Sequence, residues 1–118
     1  MQKITIKRGE TMEIFGTLIK PDQFGVAQPL NISTWQLFSQ VRDPKKDLEL
    51  VAVVTVTKGN QTLNPGSYSL RANTANWASA RLLCDVAFIE SDGDIKLSET
   101  IEIIIENSIT VVRDFNVM

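Results

Sequence analysis

The sequence predicts an all-β domain, an immunoglobulin-like antiparallel β-sandwich of about seven or eight strands. Three observations carry this expectation. Apolar and polar residues alternate along most of the chain, and helical spacing is scarce. Turn-forming residues recur about every ten residues between the alternating runs. The longest runs are rich in Val, Ile and Thr, which suit a pleated surface.

The elements follow in order. Ile4 and Ile6 alternate with Lys3, Thr5 and Lys7 in a first strand, and Arg8-Gly9-Glu10 turns the chain. Met12, Ile14, Gly16 and Leu18 share one face of a second strand ending at Lys20-Pro21-Asp22, before a loop over residues 21–33. Trp35, Leu37, Ser39 and Val41 share a face of the third, and Gln36, Phe38, Gln40 and Arg42 share its other face. Trp35 is expected to pack between the sheets. Residues 43–47 form a charged turn in which Pro44 presets the backbone.

Leu48, Leu50, Ala52, Val54 and Val56 define one face of a long strand. Two turns follow, over residues 58–62 and at Asn64-Pro65-Gly66, and then Tyr68, Leu70 and Ala72 alternate with polar residues. Residues 74–80 suggest a helical turn with Thr74 as N-cap, its Trp77 closing one end of the core. Leu82, Cys84, Val86 and Phe88 mark the next strand. Asp92-Gly93 is the strongest hairpin signal in the chain. The returning strand then carries Ile95, Leu97, Glu99, Ile101, Ile103 and Ile105 on one face.

Composition narrows the chemistry. The chain has 118 residues, enough for one domain over residues 1–118, with ordinary apolar (43%) and charged (22%) content. A net charge of −2 argues against nucleic-acid binding through a large Lys and Arg excess. Histidine is absent, which removes Ser-His-Asp and Cys-His catalysis and histidine-based metal sites. Cys84 is the single cysteine, so neither an intrachain disulfide nor a cysteine metal cage forms, and a reducing compartment suits it. The most apolar stretch, residues 101–112, is short and broken by Glu102 and Glu106, so no membrane span is expected.

The remaining candidates read as structural. Glu90, Asp92 and Asp94 around Gly93 could hold calcium, yet the EF-hand pattern is incomplete and a solvated D-G turn explains them. Asp85 and Glu99 fall on neighbouring strands, where a glycosidase pair would sit, but no cleft or substrate platform marks them. Cys84 lies on an apolar face with no histidine to activate it. No catalytic residue, metal ligand or cofactor site is assigned, and the chain is read as non-enzymatic.

The order of features resembles a known group. Ile4-Thr5-Ile6-Lys7-Arg8-Gly9-Glu10-Thr11 resembles the opening of small phage and prophage proteins, in which a short strand leads through R-G-D/E-T into a second. Asp22 to Leu30 match a D-x-x-G-x-x-x-P-L turn, and a tryptophan strand follows from Thr34 to Arg42. Gly66-Ser67-Tyr68-Ser69-Leu70, the Thr74-to-Trp77 turn, Cys84 to Phe88, Asp92-Gly93 and Ser98-Glu99-Thr100-Ile101 complete the series. Together they are similar to the immunoglobulin-like sandwich of phage virion proteins, including the N-terminal domain of baseplate upper proteins. That domain continues into a long stalk, whereas this sequence stops after the sandwich.

The resemblance implies a structural or adaptor role, tail or baseplate associated, in a virion assembled in the bacterial cytoplasm. A capsid decoration protein and a host-surface glycan-binding module are the alternatives. Expected partners are other virion proteins or further copies of the chain, with neither nucleic acid nor membrane. Residues 107–118 are β-prone, with Ile109, Val111, Val112 and Arg113 as a candidate docking tail or a last strand of the sheet.

Overall fold

The computed structural model describes residues 1–78 and 80–109. It is all-β and sandwich-like. Ten strands form, β1 (Gln2–Lys7), β2 (Thr11–Thr17), β3 (Ile19–Pro21), β4 (Ala27–Pro29), β5 (Gln36–Asp43), β6 (Glu49–Lys58), β7 (Ser67–Asn73), β8 (Arg81–Ile89), β9 (Ile95–Leu97) and β10 (Ile101–Glu106). The main sheet runs β1-β10-β8-β5-β6-β7-β2, with β9 beside β8, and β3-β4 is a separate hairpin.

Strand β6 explains how one hydrogen-bonded path makes two layers. Its first half pairs with β5 and its second half with β7. One layer is therefore β1-β10-β8-β5 with the start of β6, and the other is the end of β6 with β7 and β2. Between the layers lie Met12, Ile14 and Leu70 from one side and Val41, Val54, Leu82, Cys84, Val86, Phe88, Ile101, Ile103 and Ile105 from the other. Tyr68 and Phe88 meet edge to face across the core, 5.3 Å between centroids.

Several expectations are corrected. The sheet is mixed rather than antiparallel, because β1 runs parallel to β10. Both strands end at the same pole, where the Arg8 amide donates to the Glu106 carbonyl (2.7 Å). From there the Arg8-Gly9-Glu10 turn carries the chain to the opposite layer, so β1 and β2 are not hairpin partners.

The returning strand is broken in two. Leu97 pairs with Ala87, but Ile101 pairs with Cys84, so the segment between holds one residue too many. A one-residue slip exchanges the two faces. Ile95 and Leu97 therefore face solvent while Ile101, Ile103 and Ile105 are buried. A second bulge lies in β6. Val41 opposes Ala52 and Arg42 opposes Leu50, leaving Val51 unpaired. Ala52, Val54 and Val56 keep the core face, but Leu48 and Leu50 do not.

No helix forms at residues 74–78. Thr74 is buried among strands, and its hydroxyl donates to the Glu10 carbonyl (2.6 Å) while accepting from the Gly9 amide (3.0 Å). It pins the first turn to the second layer instead of capping a helix. The isosteric Thr74→Val change strands both backbone groups and is expected to cost about 2–4 kcal/mol in urea unfolding. Trp77 is buried, as expected, and Trp35, just before β5, is partly buried against the core, with the Lys96 ammonium 5.7 Å from its ring centroid. Residues 43–47 form a 3-10 turn (Pro44–Lys46) capped by Asp43, whose carboxylate accepts from the Lys45 amide (2.9 Å).

Candidate docking surface

Alternation along the strands decides which side chains face out. On the layer containing β8, the inward residues are Leu82, Cys84, Val86 and Phe88, so Leu83, Asp85, Ala87 and Ile89 face outward. Pairing aligns these with their neighbours. Ile95 lies beside Ile89, and Leu97 lies beside Ala87, which lies beside Phe38. One row further, Asp85 opposes Gln40, which opposes Val53. The result is an apolar surface across β9, β8 and β5, with Val53 of β6 at its edge beyond Gln40. Its largest side chains are mostly uncovered: Ile95 63%, Leu97 66%, Phe38 55% and Val53 68% exposed. Single exposed apolar residues are ordinary; these, gathered on one face, make the candidate docking surface.

The outward face is divided in character. Beyond the apolar rows it becomes charged, with Arg42 beside Leu83, Lys3 beside Glu102, and Arg81 bonded to Glu102 (3.3 Å). Arg42 donates to neutral groups, the Leu48 carbonyl (2.9 Å) and the Gln40 side chain (2.7 Å). At the other pole stands the β8–β9 hairpin, where Glu90 and Lys96 continue the inward-facing side of β8 and β9 rather than the outward face.

That hairpin forms at Asp92-Gly93. The Gly93 amide donates to the Glu90 carbonyl (2.9 Å), and Gly93 has φ +94°. The carboxylates of Glu90, Asp92 and Asp94 lie within 4.8 Å of one another. The hairpin supplies work for two of them, since Asp92 accepts from the Asp94 amide (3.0 Å) and Glu90 lies 3.9 Å from the Lys96 ammonium.

The motifs that carried the resemblance turn out to be fold-holding devices. Arg8 donates from Nε to the Trp77 carbonyl (2.7 Å), from a second nitrogen to the Ala78 carbonyl (3.3 Å), and from the third to Asn107 Oδ1. It thereby clamps the 74–78 turn and the end of β10. Asp22 accepts from the Phe24 and Val26 amides (2.8 and 3.0 Å), which shapes the D-x-x-G turn at Gly25. Neither motif presents a reactive group.

The other candidates are placed plainly. Glu99 is exposed and pairs with the Met1 amino group (2.7 Å), which raises the amine's pKa through that hydrogen bond and the carboxylate charge. Asp85 is half-buried on the outward face opposite Gln40. Cys84 is buried, and burial pushes its thiol up against a smaller lowering effect of the Ser39 hydrogen bond, with the Asp85 charge adding a lesser upward push. Ser39 donates to the Asp85 carbonyl (2.7 Å), so the Cys84 thiol supplies the proton in its 3.2 Å contact with the Ser39 hydroxyl. Iodoacetamide at mildly alkaline pH is therefore expected to label Cys84 only on unfolding; labelling of folded protein at a free-thiol rate would contradict this placement.

Of the candidate tail, Ile109 is almost fully exposed, and Val111, Val112 and Arg113 lie outside the described residues. A cleft of about 190 Å³ is lined by Asp43, Lys46, Glu49, Val51 and Asn76. It is smaller than the range usual for small-molecule sites. Among the described residues, no helix is long and apolar enough to cross a membrane.

Sequence reading assigned the outward side of Phe38 but missed Ile95 and Leu97, because the bulge that turns them out depends on pairing with β8. The chain matches no protein-family model and no curated protein.

Proposed function

We propose that this chain is a non-enzymatic structural or adaptor component of a phage or prophage particle, tail or baseplate associated, that works by docking onto other virion proteins. One observation supports the docking part, the run of exposed apolar side chains Phe38, Ile95 and Leu97 on neighbouring strands of one face. The phage part rests on the sequence resemblance, whose R-G-E-T and D-x-x-G elements do defined work in holding this sandwich together. Assembly into the particle follows synthesis in the host cytoplasm.

The test is particle composition. Particles purified from a host carrying the gene are expected to contain the chain in fixed stoichiometry, in the tail fraction after mild disruption. The Phe38→Glu variant is expected to be absent from particles while remaining folded in the lysate. Recovery in the capsid fraction would move the role to decoration, and absence from all particles would sink the virion reading.

A further inference from the structure

The cleft beside the β5–β6 turn is small for a cofactor, yet its rim leaves three kinds of group unengaged. The first is backbone. From Glu49 to Val54, β6 pairs with β5 along one edge. Among the described residues no strand lies on its other edge there, because β7 pairs only with Thr55 to Lys58. The second is apolar. Leu50 lines the cleft and is 45% exposed, and nearby Leu48 is 51% exposed. The third is charge. Lys46 and Glu49 line the cleft with no ion pair among the described residues. An open strand edge beside apolar side chains suits an added strand.

We propose that this cleft is covered by the chain's own C-terminal segment, residues 111–115, laid along the open edge of β6. This goes beyond the docking reading and does not depend on it. Position, length and composition favour this occupant. The chain leaves β10 beside the cleft. The guanidinium of Arg8 donates both to the Ala78 carbonyl (3.3 Å), on a residue of the cleft wall, and to Asn107 Oδ1. Two residues on, Ile109 is 96% exposed, so the chain is already clear of the sandwich. From β10 to β6 is three strand spacings, about 14 Å. Residues 110–118 span up to about 30 Å when extended, which is ample. Composition matches the rim. Val111, Val112 and Phe115 suit Leu48 and Leu50, and the adjacent Arg113 and Asp114 suit Glu49 and Lys46. The open edge of β1 is as near the exit point, but it presents Lys3 and Lys7, which repel Arg113.

Disulfide trapping in the full chain tests this, with the native Cys84 buried away from the reaction. Leu50→Cys combined with Val112→Cys is expected to link within the monomer at least about tenfold faster than Lys7→Cys combined with Val112→Cys. Lys7 is exposed and pairs with Glu106 at the end of β10, so chance encounters reach it as readily. Glu49→Lys is expected to slow the Leu50 linkage about threefold, and Arg113→Glu in the same chain to restore it. Circular dichroism checks each variant for folding, and Leu48→Cys replaces Leu50→Cys if the latter unfolds. Equal rates at Leu50 and Lys7 overturn the proposal. Linked dimers in place of linked monomers also overturn it, because they put the segment of one copy on the cleft of another. So does a linkage rate indifferent to both charge reversals.

Discussion

Phe88→Ala is expected to cost about 3–5 kcal/mol, a large share of the stability of a domain this size. Phe88 is 1% exposed at the centre of the sandwich, on β8, the strand that touches most of its layer. Truncation removes the ring's buried surface and leaves a cavity that two packed sheets cannot collapse to fill. It also removes the edge contact with Tyr68 from the opposite layer, one of the links between the two sheets. The control is Phe38→Ala. That ring lies beside Ala87 on the outward face and is more than half exposed, so its loss is expected to cost under about 0.5 kcal/mol. Urea unfolding of both variants, with the slope checked against wild type, measures the contrast. Equal losses would mean that the inward and outward assignments of β5 and β8 are wrong.

That contrast was legible in the sequence, because alternation within one strand is a local property. Leu82, Cys84, Val86 and Phe88 sort themselves inward without reference to any other strand. What the sequence hid depends on partners far along the chain. The outward turn of Ile95 and Leu97 requires knowing that β9 and β10 pair with β8 in registers one residue apart. The outward Leu50 requires the bulge at Val51, and the parallel β1–β10 pair joins opposite ends of the chain. The candidate surface is therefore half legible. Phe38 and its outward side follow from alternation, while the two aliphatics that make the patch continuous follow from a slip.

Polar tie points are hidden for the same reason. Thr74 has the residue type of a helix cap, and only the approach of Gly9 and Glu10 gives it another task. Gln61 sits in what reads as an ordinary turn. Its carbonyl oxygen accepts from the Ile32 and Gly66 amides (3.1 and 2.7 Å), and its amide nitrogen donates to the Gly59 and Ser67 carbonyls (both 3.0 Å). All four of its hydrogen-bonding positions are filled. Nothing local to Asn60-Gln61-Thr62 signals this.

Gly66→Ala is expected to be the most damaging single-methyl change in the chain, costing at least about 3 kcal/mol. Two effects add. Gly66 has φ +82°, where a Cβ costs about 1–2 kcal/mol from its own backbone. A Cβ there would also lie 2.5 Å from the Leu18 carbonyl oxygen and 3.1 Å from that of Leu30, both main-chain atoms. Neither can swing aside as a side chain would. The Gly66 carbonyl accepts from the Leu18 amide (2.9 Å), and the Leu18 carbonyl accepts from the Leu30 amide (3.0 Å). Moving Leu18 therefore loosens the β3–β4 hairpin, the start of β7 and the Gln61 junction at once. Gly93→Ala isolates the two effects. Gly93 also has positive φ, at +94°, but a Cβ there meets nothing within 4 Å. It is expected to lose only the backbone share, about 1–2 kcal/mol. The difference between the two variants in paired urea titrations then measures the collision itself. If both lose the same amount, the close approach of Leu18 to Gly66 does not exist in solution, and the junction that orients the β3–β4 hairpin is looser than this structure has it.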